Sequence, residues 1–204
     1  MVELFQQGGG FMWPILVFFI IGLALGIAKM WTLWRAGINT RRFIEKIRTA
    51  LKEGGTDAAL EICESTRGPV ASIFHAGLMR AQEGIEYVEK AITNAGSIEM
   101  AFLEKGMVWL GFVIVVAPML GFTGTVWGMI VAFDAIKTAN DISPAVVAGG
   151  ISQALLTTLF GLIVAMTIQL FYNWATARID KLIIDMEEAS VQLIDTLIEL
   201  EKSK

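Results

Sequence analysis

The 204-residue sequence is 55% apolar and only 18% charged, with 20 Gly, 12 Phe and 6 Trp. Ordinary globular chains carry about 25% charged residues, so this composition argues against a water-soluble domain and for an integral membrane protein. One Cys and one His allow no disulfide framework and no Cys/His zinc module, and a net charge of −4 without a basic face argues against a nucleic-acid binder.

Residues 1–10 read as a periplasmic lead-in. Gly8-Gly9-Gly10 is not followed by Lys-Ser/Thr, so it is taken as a flexible connection and not as a phosphate loop. No ionisable side chain occurs from Leu4 to Ala28, and a first transmembrane helix is predicted at 11–33. A cleaved signal peptide fits poorly. The early region has no basic charge, the apolar stretch is too long, and no small-residue cleavage site follows.

Residues 34–106 have the composition of a solvated helical region, with ten basic and ten acidic side chains between 35 and 105. Gly54-Gly55 ends one predicted helix, Thr56-Asp57 caps the next, and Arg67-Gly68-Pro69 breaks the chain again. Ile44, Ile47, Ala50 and Leu51 share an amphipathic face. His75 has no neighbouring ligands at metal spacing, and acidic neighbours of Cys63 raise its thiol pKa, so neither predicts a metal, cofactor or nucleophile.

A second charge gap of 28 residues, Gly106 to Phe133, predicts a transmembrane helix at 107–132. A periplasmic loop follows at 133–144. A third gap of 36 residues, Ile142 to Ala177, holds a helix at 145–172 that tilts or continues into water. Residues 173–204 form a C-terminal helix with Leu182, Ile183, Met186, Ala189, Leu193 and Leu197 on one side. The stretch from Thr93 to Glu104 is expected to run unbroken into the second span, so that helices two and three both extend into a cytoplasmic bundle. The fold is therefore expected to be all-α, with three membrane helices.

Lys29, Arg35, Arg41, Arg42, Lys46 and Arg48 crowd the end of span one, and the N-terminal lead-in has no Lys or Arg. The positive-inside rule then places the N-terminus outside and both 35–105 and the C-terminal tail in the cytoplasm. Trp13, Trp31, Trp34, Trp109, Tyr172 and Trp174 lie near span ends, as interfacial anchors do.

Spans two and three differ from span one. Ala117, Gly121, Thr125, Gly128 and Ala132 recur at intervals of 4, 4, 3 and 4 on one stripe, flanked by Gly124. Gly150, Ala154, Thr158, Gly161 and Ala165 repeat the pattern, with Gln153 and Thr157 beside it. Small residues allow close helix packing. The threonines and the Gln153 amide also make a hydrated or partner-lined face possible, and spacing leaves both readings open. No Asp, Glu, Lys, Arg or His lies inside a span. If protons cross here, the titrating carboxylate must come from another chain.

Ala117-Pro118-Met119-Leu120-Gly121-Phe122-Thr123-Gly124-Thr125-Val126-Trp127-Gly128-Met129 resembles the second-span signature of the ExbB/TolQ/MotA proton-channel family. Gly150-Ile151-Ser152-Gln153-Ala154-Leu155-Leu156-Thr157-Thr158-Leu159-Phe160-Gly161-Leu162 resembles its third. The nearer branch is ExbB/TolQ. This resemblance implies an inner-membrane pentamer around a dimer of a single-span ExbD/TolR-like partner that carries an Asp, with a TonB-like or TolA-like protein beyond it. Proton flow would drive outer-membrane work, TonB-dependent or through Tol–Pal, or a gliding- or secretion-type motor.

By position, Thr125 and Thr158 match the pore-facing threonines, and Pro118 matches the proline opening the signature. Gln153 departs from the pattern, because many relatives have Glu there, which leaves the partner's Asp as the proton carrier. Thr125, Thr158, Gln153 and Thr157 are thus the candidate ion-pathway residues. Pro118, Gly121, Gly124, Gly128, Gly150, Ala154 and Gly161 form the candidate packing or lumen stripe, with span one facing lipid. The rival reading is a non-conducting scaffold. No constellation supports an enzyme.

Overall fold

A computed structural model describes residues 2–37, 39–139 and 144–202. Eight α-helices follow one another among these residues: α1 Val2–Gln7, α2 Met12–Ala36, α3 Thr40–Glu53, α4 Gly55–Ser65, α5 Pro69–Leu78, α6 Ile85–Glu104, α7 Met107–Ala139 and α8 Pro144–Lys202. A 3-10 turn at Ala81–Glu83 precedes α6, and no strand occurs among the described residues. Parts of α2, α7 and α8 are long and apolar enough to cross a membrane.

The chain divides into two compact units. Residues 1–29 and 106–174 form the first, and residues 30–105 and 175–204 the second. The first holds α7 and the apolar parts of α2 and α8. Gly22 and Gly26 of α2 admit close neighbours, since a Cβ would stand 2.8 Å from Ile168 Cδ1 at Gly22 and 3.0 Å from Phe171 Cγ at Gly26. Phe18 and Phe112 pair at 5.9 Å between ring centroids. Val115, Met119 and Phe122 of α7, with Leu155, Met166 and Leu170 of α8, are exposed. Such a surface suits lipid or a neighbouring subunit, not water.

The second unit is a small helical bundle. Asn39 Oδ1 caps α3 by accepting from the Arg42 N–H at 3.3 Å, and the Gly54 N–H closes it on Ala50 O at 2.8 Å. Phe43, Ile47 and Leu51, four residues apart, are buried on one face of α3. Ile44 and Ala50 of the expected face are half-buried. The next helix starts at Gly55, so Thr56 and Asp57 lie in its first turn and do not cap it. Gly68, at φ 140, and Pro69 in the first helical turn make the expected break before α5. Leu182, Met186, Ala189, Leu193 and Leu197 of α8 are buried here, and Ile183 is half-buried.

Three expectations change in detail. The lead-in contains a short helix, α1, and its glycines form a tight turn. The helix of span two runs past Phe133 to Ala139, because Asp134 and Lys137 mark the edge of the apolar layer and do not stop a helix. Residues 140–143 of the expected loop lie outside the described residues. The predicted unbroken extension from Thr93 into span two is interrupted: α6 ends at Glu104, and Gly106 adopts φ 91 before α7 begins. The extension of span three is continuous, since α8 is a single 59-residue helix.

Candidate functional site: the α7–α8 seam

The small-residue stripes of α7 and α8 lie against each other within the chain, antiparallel. A Cβ at Gly121 would stand 2.9 Å from Thr157 O, and one at Gly161 only 2.7 Å from Ala117 O. Further along, a Cβ at Gly128 would meet both Gly150 O and Ala154 N at 2.7 Å, and one at Gly150 would meet Ala132 N at 2.7 Å. These partners are backbone atoms and cannot swing aside. Only glycine permits this approach, which is how helices associate where lipid removes the hydrophobic drive. Ala117, Ala132 and Ala154 are buried along the same line.

Two hydroxyls sit in this seam. Thr125 Oγ1 lies 3.2 Å from Gly121 O in its own helix and 3.1 Å from Ala154 O across the seam. Thr158 Oγ1 lies 3.2 Å from Gly121 O, and the two hydroxyls hydrogen-bond to each other. Each hydroxyl has one proton to donate and lone pairs to accept, so the pair has several donor arrangements over the same oxygens. Both threonines are half-buried. Neither is fully enclosed by the two helices.

Thr157 and Gln153 occupy different settings. Thr157 is fully buried: a Cβ at Gly124 would stand 2.6 Å from its Cβ, and its hydroxyl reaches only Ala154 O at 2.9 Å and Gln153 O at 3.2 Å. Gln153 is half-buried, and its side chain touches the Gly9 turn. Pro118 lies inside α7, where it removes one backbone donor from the helix.

The structure thus brings Gly121, Gly124, Gly128, Gly150, Ala154, Thr157, Thr158 and Gly161 into one seam with Thr125. A further polar pair escaped the sequence reading. Gln169 Nε2 donates to Asn173 Oδ1 at 2.7 Å on α8. The i, i+4 spacing of two amides was legible, but it lies outside the signature runs. No cluster of His, Cys, Asp or Glu able to hold a metal occurs among the described residues.

Residues 65–188, more than half of the chain, match the MotA/TolQ/ExbB proton channel family. The chain belongs to this family. It is 32% identical over 180 residues to a biopolymer transport protein ExbB homolog of Methanothermobacter thermautotrophicus, covering 88% of this chain and 64% of that one. It is 27% identical over 172 residues to the biopolymer transport protein ExbB-like 3 of Synechocystis, covering 82% and 81%. With the Tol-Pal system protein TolQ of Pseudomonas aeruginosa it shares 35% over 125 residues, covering 56% and 54%. The chain therefore spans less than two thirds of the Methanothermobacter and Pseudomonas proteins. These relatives set it on the ExbB/TolQ side of the MotA/TolQ/ExbB family, as a membrane protein with three long apolar helices.

Proposed function

We propose that this chain is the ion-conducting subunit of an inner-membrane energy-transducing complex, coupling the proton motive force to outer-membrane work such as TonB-dependent transport. The observation that carries this reading is the Thr125–Thr158 hydroxyl pair. It sits half-buried in an apolar layer together with two backbone carbonyls. Hydroxyls between membrane helices either join the helices or line a hydrated path, and the incomplete burial of this pair favours the path.

In this reading, five copies surround the two helices of an ExbD/TolR-like partner, with a TonB-like or TolA-like protein beyond. The N-terminus is periplasmic and the C-terminus cytoplasmic. Threonine hydroxyls do not titrate near neutral pH, so the chain orients water or a carboxyl and the partner's acid carries the proton. Gln153 offers an amide to the same path. Thr157, enclosed by Gly124, holds the register beside it. The exposed apolar faces supply lipid and subunit contacts. Service to Tol–Pal, or to a gliding- or secretion-type motor, would use the same chemistry with a different consumer.

Thr158→Val tests the reading in the complex isolated from its own membrane and reconstituted in liposomes with an entrapped pH dye. Proton flux should collapse while subunit composition stays normal, and Thr158→Ser should conduct. Undiminished flux in the valine variant would reject the role. The second reading, a non-conducting scaffold, draws on the mutual packing of the two stripes. It requires Thr125→Ala and Thr158→Ala to alter stability and leave flux unchanged.

A further inference from the structure

The three glycines before α2 form a turn whose shape is fixed on both sides. The Gly9 N–H donates to Gln6 O at 3.2 Å, and Gly9 O accepts from the Met12 N–H at 3.2 Å, so this residue both closes α1 and opens α2. Its φ of +71 falls in the region that L side chains rarely adopt. Met12 is buried against Gly8, where a Cβ would stand 2.6 Å from the Met12 sulfur. Phe11 pairs with Trp127 of α7 at 6.4 Å between centroids. The turn is therefore anchored to α7 and to its own helix.

On its remaining side the turn meets Gln153. A Cβ added at Gly9 would collide with the Gln153 amide nitrogen and stand 2.9 Å from Cδ, whereas at Gly10 nothing lies within 4 Å. The Gln153 side chain is half-buried beside this turn. The close approach of Gly9 then limits where this amide rests. Polar side chains in an apolar layer act only when their support holds them in place.

We infer that Gly9 is a positioning residue for Gln153: the glycine turn holds the amide ready for the carboxyl or water that approaches the hydroxyl pair. This rests on the reading of Gln153 as a pathway residue, so the experiment separates the two. Gly9→Ala, Gly9→Asn, Gln153→Ala, the double variant Gly9→Asn/Gln153→Ala and the control Gly10→Ala are compared in the reconstituted complex by proton flux. Asparagine tolerates positive φ yet carries a Cβ, which isolates the contact from backbone strain.

Gly9→Asn and Gln153→Ala should each lower flux about tenfold and the double variant no further, because coupled residues are non-additive. Gly10→Ala should conduct normally. The Gln153 side-chain amide resonance should shift in Gly9→Asn and stay in place in Gly10→Ala. Normal flux in both Gly9 variants, with loss in Gln153→Ala, overturns the positioning role and leaves the pathway reading standing. Normal flux in Gln153→Ala removes both. Multiplying effects in the double variant also overturn the inference, as does loss of assembly in both Gly9 variants, which would make the turn a folding element.

Discussion

The hydroxyls of Thr125 and Thr158 hydrogen-bond to each other across the α7–α8 seam, and both reach Gly121 O. Replacing either by valine keeps the volume and removes the exchange of donor roles. Thr125→Val should therefore abolish conduction, as is expected of Thr158→Val, and the double valine variant should be no worse than either. Stability should move by only about 1 kcal/mol per lost hydrogen bond. Flux and denaturant resistance, measured on the same preparations, check this. A large fall in stability with preserved flux would contradict it.

Thr157 makes the contrasting case. Its hydroxyl serves only carbonyls of its own helix, and its surface is entirely covered. Thr157→Val should leave flux within about twofold of normal, because back-bonding to the same helix adds little net stability. Thr157→Leu should disrupt the chain, because Gly124 leaves no room for added bulk. Thermal stability in detergent separates the two variants.

The seam itself predicts a gradient of tolerance among glycines. Gly128→Ala and Gly161→Ala each set a methyl 2.7 Å from backbone atoms of the facing helix. Each should destabilise by roughly 1–3 kcal/mol, the usual cost of overpacking. Gly111→Ala meets only Tyr172, at 4.0 Å, and should be neutral. Steric-trapping measurements of unfolding in bicelles would reveal equal costs at all three positions if the seam were not close-packed.

Cys63 supplies a pH prediction for the second unit. Burial, assisted by the charge of Glu64, pushes its thiol from 9.0 up to about 12. At neutral pH the native thiolate fraction should be about a thousandfold below that of a free thiol, so labelling reports local opening of α4. The sign of the linkage follows: the neutral thiol is favoured by the fold, so its contribution is complete below pH 9 and declines as pH rises towards 12. Cys63→Ala should flatten the alkaline limb of a stability profile. An unchanged limb would mean that another group governs it.

Much of this architecture was legible because charge in a membrane protein is so unevenly spent. The gaps ending at Ala28, Phe133 and Ala177 located three helices. Charge marks the edge of the apolar layer and not the end of a helix, which is why α7 continues through Asp134 and Lys137. The intervals that picked out Gly121, Thr125, Gly150 and Thr158 also identified a common face for each helix. Periodicity does not name the surface opposite that face, and only coordinates reveal that the two stripes meet one another. The break at Gly106 and the Gly9 turn depend on single positive φ values, which leave no periodic trace.

Pro118 gives α7 a soft point. Its ring occupies the place of the donor that Ile114 O would otherwise receive, so one rung of the helical ladder is missing there. The adjoining residue, Ala117, forms one end of the glycine seam against Gly161. Like a zip with its slider parked at the weakest tooth, the two helices would part first from that end. Splaying there would unseat Gly121 before it disturbed Gly128 or Gly150.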